Sequence, residues 1–165
     1  MATLTMLFTG ACGSTSPASV AVGGGAGGAS VPAQLQFTAE TLDGHSFSGD
    51  SLLGKPAVLW FWAPWCPACQ REAPTVGKVA AANPAVTFVG VGARSQPPEM
   101  KEFVDKYGLG GFTELADSDS AVWSKFGVTR QPAYAFVKPD GAIEVFKGSL
   151  SESELTARVQ ALTGR

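Results

Sequence analysis

The chain is poor in the residues that several common functions require. It has one histidine, His45, and three cysteines among 165 residues. A structural zinc site needs four ligands, and the only cysteine outside the Cys66–Cys69 pair is Cys12, far away near the start. Three cysteines are also too few and too unevenly spread for a disulfide scaffold. Charge is sparse, at 16% of residues, with 12 Lys and Arg against 14 Asp and Glu and a net charge of −2. With no basic block, neither nucleic acid nor a charged membrane surface is an expected partner. No segment reaches the roughly 20 apolar residues of a transmembrane helix, and there are no internal repeats. What remains is 45% apolar, enough for one soluble domain with a proper core plus a tail.

The tail is residues 1–32. Residues 1–12 run through a short apolar stretch and small residues to Cys12. Residues 13–32 are almost wholly Gly, Ala, Ser, Thr, Val and Pro, a composition that cannot bury enough surface to fold. A flexible linker of about 20 residues has a root-mean-square span of ~25 Å. The order of export signal, small residues, acceptor cysteine and tether resembles that of bacterial lipoproteins. The resemblance implies that Cys12 is the lipidated residue of an extracytoplasmic protein held at the outer face of the plasma membrane. Thr9 stands where such signals usually carry Leu, and residues 1–12 contain no Lys or Arg, so the segment has the look of a truncated signal. The other reading of Cys12 is a free thiol in the tail of a secreted protein.

The folded part is expected over residues 33–165. Leu35, Phe37 and Phe47 alternate with polar residues around an Asp43-Gly44 turn, which predicts a hairpin. Residues 57–62, Ala-Val-Leu-Trp-Phe-Trp, form an unbroken apolar run, as in a central strand covered on both faces. Pro67 suits the first turn of a helix, whose inward face is predicted to carry Cys69, Ala73, Val76 and Ala80. Pro74 lies inside that helix and is expected to bend it. A second apolar strand is expected over 85–91, then a helix opened by Pro97 and Pro98 and closed by Gly108. A short helix around Val122, Trp123 and Phe126 follows, then a hairpin with strands 133–137 and 142–146. Ser151 and Glu154 cap a last helix. Parallel strands joined through helices, with an antiparallel hairpin added, make a mixed sheet with helices on both faces.

The chemistry concentrates at Cys66-Pro67-Ala68-Cys69. Cys66 falls where a strand hands over to a helix, and the unpaired N–H groups and macrodipole of a helix N-terminus favour an anion. Thiolate is the reactive form of cysteine, so this position makes Cys66 the nucleophile. Cys69 is one turn on and faces inward, where burial keeps it protonated until a mixed disulfide on Cys66 needs resolving. Haem attachment would require histidine at position 70, which is Gln. Two inert structural cysteines remain a possible reading, but a helix N-terminus does not keep a thiol quiet.

Residues 61–69, Phe-Trp-Ala-Pro-Trp-Cys-Pro-Ala-Cys, continue as Gln70-Arg71-Glu72-Ala73-Pro74. This W-C-x-x-C-x-x-E-x-P pattern, with Thr41-Leu42-Asp43-Gly44 and Leu53-Gly54-Lys55-Pro56 upstream, resembles the TlpA/ResA/DsbE branch of thioredoxin-like proteins. Nearest in pattern are the exported DsbE/DsbF-type proteins of mycobacteria and relatives. The resemblance covers about residues 35–162. It implies an α/β thioredoxin fold, a central mixed sheet flanked by helices with an N-terminal hairpin extension. It also implies a cis-proline loop at Pro132, where the main chain of Gln131 would bind an extended client. Pro67 and Trp65 would support the site, with Trp65 shielding the disulfide and meeting clients, or simply packing on the helix. Many reductases of this fold carry a buried Asp six residues before the first cysteine. Here that residue is Trp60, leaving Glu72 either to act instead through water or to be an exposed helical residue. His45 reads as a surface turn residue, and Tyr107 and Trp123 as core.

The function expected is oxidation of thiols in exported proteins by the Cys66–Cys69 disulfide, with no other cofactor and a membrane redox partner to reset it. The alternative is a reductase of exported disulfides, for instance in cytochrome c maturation. A peroxidase of the peroxiredoxin type needs P-x-x-x-T/S-x-x-C. The matching positions before Cys66 are Ala63 and Leu59, and those before Cys69 are Cys66 and Trp62, so both fail. A non-enzymatic binding protein requires inert thiols.

Overall fold

A computed structural model describes residues 1–3 and 30–164. Cys12 and nearly all of the 13–32 segment therefore lie outside the described residues. The chain enters through a 3-10 turn, Ala33–Leu35, and a small antiparallel hairpin of β1 (Thr38–Glu40) and β2 (Ser46–Ser48). Leu35 thus belongs to a turn rather than to the strand its alternation predicts. The turn points it into the core, where it is fully buried.

The apolar run becomes β3 (Ala57–Trp62), every residue of it buried. Alternation along a strand sends side chains to opposite faces. Val58, Trp60 and Trp62 enter one core cluster, while Ala57, Leu59 and Phe61 enter the other. Each large apolar side chain removed from water contributes about 1.5–3 kcal/mol, which makes this strand the main anchor of both layers. On the first face lie α1 (Pro67–Ala82), α2 (Pro97–Tyr107) and α4 (Glu152–Leu162); on the second lie α3 (Ala121–Lys125) and the entry turn. The helix α1 runs unbroken through Pro74. The mixed sheet has the order β5-β4-β3-β6-β7, with β4 (Thr87–Ala93), β5 (Thr113–Asp117), β6 (Ala133–Val137) and β7 (Ile143–Lys147). Strands β3, β4 and β5 are parallel, and β6 and β7 are antiparallel to their neighbours. The fold is thioredoxin-like.

Several strands differ from expectation: β4 runs over Thr87–Ala93 rather than 85–91, and β7 over Ile143–Lys147 rather than 142–146. The second strand starts at Thr87, because the Val86 N–H still closes a turn onto the Asn83 carbonyl at 3.0 Å. Strand β5 was not expected at all: Thr-Glu-Leu-Ala-Asp reads as polar, yet Glu114 and Asp117 are both buried. The Leu42 N–H donates to the Glu114 carbonyl at 2.9 Å, which docks the entry hairpin on the β5 edge.

Glu114 lies across Gly90 of β4, its partner in register. A Cβ at position 90 would stand 1.8 Å from Glu114 Oε2, so only glycine leaves room for the carboxyl. Glu114 Oε2 accepts the Trp62 indole N–H at 3.1 Å, whereas Oε1 has no partner. Burial holds this carboxyl well above the usual carboxylate range, only partly opposed by the Trp62 bond. A carboxyl that stays protonated in the folded state favours folding below the unfolded value. That advantage is lost as pH rises, by about 1.4 kcal/mol per pH unit until the folded group ionises. Glu114→Gln, neutral at every pH, is therefore expected to raise the urea midpoint at pH 8 and leave it nearly unchanged at pH 4. Equal destabilisation at both pH values would contradict this account.

Candidate active site

The active-site turn springs from the C-terminal end of β3. The Cys66 N–H donates to the Ala63 carbonyl at 3.1 Å, and Gln70 Nε2 donates to the Pro64 carbonyl at 2.9 Å, pinning the turn from both sides. Cys66 is the N-cap of α1, with extended backbone and Pro67 as the first helical residue. Its sulfur accepts the Cys69 backbone N–H at 3.2 Å, the work of a capping side chain. Both cysteines are thiols. Cys66 keeps 4% of its surface and Cys69 none. The order of exposure is the expected one, but Cys66 is nearly as covered as its partner, because the cap geometry folds its sulfur onto the helix.

Burial, then the adjoining Cys66 side chain, pushes the Cys69 thiol far up; the Ala63 backbone opposes, and the Glu72 charge adds a smaller upward push. Cys69 is thus held protonated. Glu72, one turn further along the same face, is buried rather than exposed. Its Oε1 accepts the Leu150 N–H at 2.8 Å and its Oε2 accepts the Tyr134 hydroxyl at 3.0 Å. Burial raises the Glu72 carboxyl above its ordinary value, and these donors hold it back. The Trp60 indole N–H stands nearby without closing a normal hydrogen bond. The buried carboxyl nearest in sequence to Cys69 therefore lies on α1, not on β3, where Trp60 is entirely buried. Tyr134, pushed up by burial and then by Glu72, was not singled out from sequence. Its place on β6 two residues after Pro132 is the one signal that pointed to it.

The Gln131–Pro132 peptide bond is cis. The register Phe61↔Ala133 sets Pro132 at the end of β3 from which the Cys66 turn rises. Pro132 is buried, Gln131 is half-buried, and Gln131 Oε1 has no hydrogen-bond partner. Trp65, 54% exposed, is the only exposed large apolar side chain besides Met1 among the described residues. Its indole N–H donates to the Arg94 carbonyl at 3.0 Å. Behind the turn, Trp62 stacks on Phe103 with ring centroids 4.3 Å apart, and Trp60 lies 5.9 Å from Trp62. Trp123 is core, Tyr107 half-buried against Phe103, and His45 exposed on the entry hairpin. Among the described residues no cluster of three or more His, Cys, Asp or Glu could hold a metal ion, and no helix is long and apolar enough to cross a membrane.

Comparison with known proteins points the same way. Residues 29–146 match the AhpC/TSA family. The soluble secreted antigen MPT53 of Mycobacterium tuberculosis is 52% identical over 133 residues, 79% of this chain and 76% of that protein. The thiol-disulfide oxidoreductase ResA of Halalkalibacterium halodurans is 31% identical over 121 residues, 72% of this chain and 68% of that protein. The solved structure of MTB dsbF in mixed oxidized and reduced forms superposes with a TM-score of 0.79 at 67% identity, covering 80% of this chain and 98% of that one. A secreted disulfide oxidoreductase of Mycobacterium tuberculosis homologous to E. coli DsbE gives a TM-score of 0.75 at 51% identity, covering 78% of this chain and 97% of that one. With a thiol pair at a helix N-terminus, a buried carboxyl beside it and these relatives, the chain belongs to the AhpC/TSA family and is a thiol–disulfide oxidoreductase of the DsbE/DsbF and ResA type.

Proposed function

We propose that the protein works outside the cytoplasm and oxidises thiol pairs of exported proteins, carried by its Cys66–Cys69 disulfide. A client thiolate attacks the Cys66 sulfur; the Cys66–Cys69 bond breaks and Cys69 leaves with the electron pair. Glu72, protonated more readily than an ordinary carboxyl, supplies the proton through a bridging water. The second client thiolate then attacks the client sulfur of the mixed disulfide and expels Cys66 as thiolate. The client gains a disulfide, the protein becomes the dithiol, and a membrane redox partner removes the two electrons. The main chain at Gln131 and Pro132, with the ring of Trp65, would hold the client strand while Pro67 fixes the start of the helix.

The observation that carries this reading is the unequal pair: a capping Cys66 and a buried Cys69 held protonated beside an acid. The direction is supported by relatives named as secreted, since disulfides form and persist outside the cytoplasm. Cys12 would be either the lipid anchor or a residue of the tail of a secreted form. A reductase would run the same steps in reverse, with Glu72 accepting the Cys69 proton. The test mixes the oxidised protein with a reduced peptide holding two cysteines. Stoichiometric disulfide in the peptide supports the oxidase, and a peptide left reduced at equilibrium would sink it.

A further inference from the structure

Arg94, just past the end of β4, has φ 58°, a left-handed backbone shared by only one other described residue that is not glycine, Ser120. That conformation is unfavourable for an arginine and persists only where the surroundings enforce it. Its contacts run to three segments. The Arg94 carbonyl accepts the Trp65 indole N–H at 3.0 Å, and its Nη2 donates to the Thr129 carbonyl at 2.6 Å. The guanidinium carbon sits 5.2 Å from the centroid of the Trp123 ring. Trp123 is itself fixed: its indole N–H donates to the Val91 carbonyl at 3.0 Å, and Asp117 accepts the Val122 and Trp123 backbone N–H groups at 2.9 Å each. Arg94 therefore stands on an anchored ring and holds, at one end, the residue before Cys66 and, at the other, the segment three residues ahead of Pro132.

We infer that Arg94 is a positioning residue for protein clients. It sets the width between the Trp65 ring and the 129–132 segment, so that an extended client chain lies across Cys66. This rests on the reading that Cys66 exchanges with protein thiols. The exposed state of Trp65 argues for more than turn formation. A ring left 54% in solvent would be free to collapse over the thiol, yet its N–H is held from behind by a strained carbonyl. A turn needed only for the left-handed backbone would be served best by glycine. The backbone carbonyl holds the Trp65 side, and the guanidinium supplies the link to the Thr129 side that glycine lacks.

Arg94→Gly separates those roles, because glycine keeps the carbonyl and accepts the backbone conformation while the Nη2 bond to Thr129 is lost. Disulfide exchange of the oxidised protein is followed with two probes: dithiothreitol, which needs no groove, and a reduced ten-residue peptide containing two cysteines. The peptide rate is expected to fall about tenfold through misplacement of the strand, and the dithiothreitol rate by less than twofold. Arg94→Lys, keeping a charge and a donor without the planar fork, is expected to recover part of the peptide rate. Both probes slowed equally, or neither slowed, would overturn the inference. If the unsubstituted protein reacts with dithiothreitol but not with the peptide, the proposed function itself falls.

Discussion

Cys69→Ser protein that also carries Cys12→Ser, mixed with a disulfide-bonded peptide, is expected to accumulate as a covalent complex through Cys66, whereas Cys66→Ser protein with the same Cys12→Ser change is expected to form none. Only Cys66 caps the helix with its sulfur, and only Cys66 keeps any accessible surface. Cys69 is fully buried and held protonated, so it cannot replace Cys66 as the first attacker. Because thiolate is the reacting species, a thiol held up this far leaves a negligible reactive fraction near neutral pH. The exchange rate of Cys66→Ser should drop by at least about a thousandfold, the range seen when a covalent nucleophile is removed. Non-reducing electrophoresis and intact mass separate the outcomes. A covalent complex through Cys69 in the Cys66→Ser protein would reverse the assigned roles.

Glu72→Gln is expected to slow resolution of that mixed disulfide by about a hundredfold, the lower end of what a general acid–base group contributes. The amide can still accept the Leu150 N–H and meet the Tyr134 hydroxyl, so packing changes little. Two effects oppose each other. Removing Glu72 abolishes the nearby proton acceptor for Cys69 but also removes a like charge that pushes the Cys69 thiol up. The first prevails, because that charge is the smallest of the causes acting on Cys69, while burial is the largest. Resolution by the unsubstituted protein should speed up as pH rises through the Glu72 range, which burial places above the ordinary 4.5. In Glu72→Gln that limb should vanish, leaving a rise only at the much higher pH where Cys69 ionises unaided. Rapid-quench measurement of peptide release across pH 4 to 9 reads this directly. An unchanged profile would make Glu72 a structural residue.

The thiol pair, the central strand and the caps could be read in the sequence because their signals are local. Six apolar residues followed by Cys-x-x-Cys, Pro97 ahead of Met100 and Phe103, and Ser151 three before Glu154 each stand within a dozen residues. Features decided by distant partners could not be read in this way. Glu72 looks like an exposed helical acid until its acceptors meet Tyr134 and Leu150, which are 62 and 78 residues away. Strand β5 looks polar until Glu114 meets Trp62, 52 residues away, over a glycine that has no bulk to exclude it. The Arg94 bridge likewise joins residues 29 and 35 positions apart. For the two carboxyls, the exposed place that polar residues usually take is the wrong guide. The pairing that makes burial tolerable exists only once the sheet has formed.

The most direct test of the account is the reduction potential of the Cys66–Cys69 disulfide, measured by equilibration with glutathione in Cys12→Ser protein. For a two-electron couple, about 30 mV corresponds to 1.4 kcal/mol, so the two directions of function are well separated. A value between about −120 and −180 mV, where known oxidases and isomerases lie, is the result the account predicts. A value near about −270 mV, as in thioredoxin, would contradict it and make the protein a reductase.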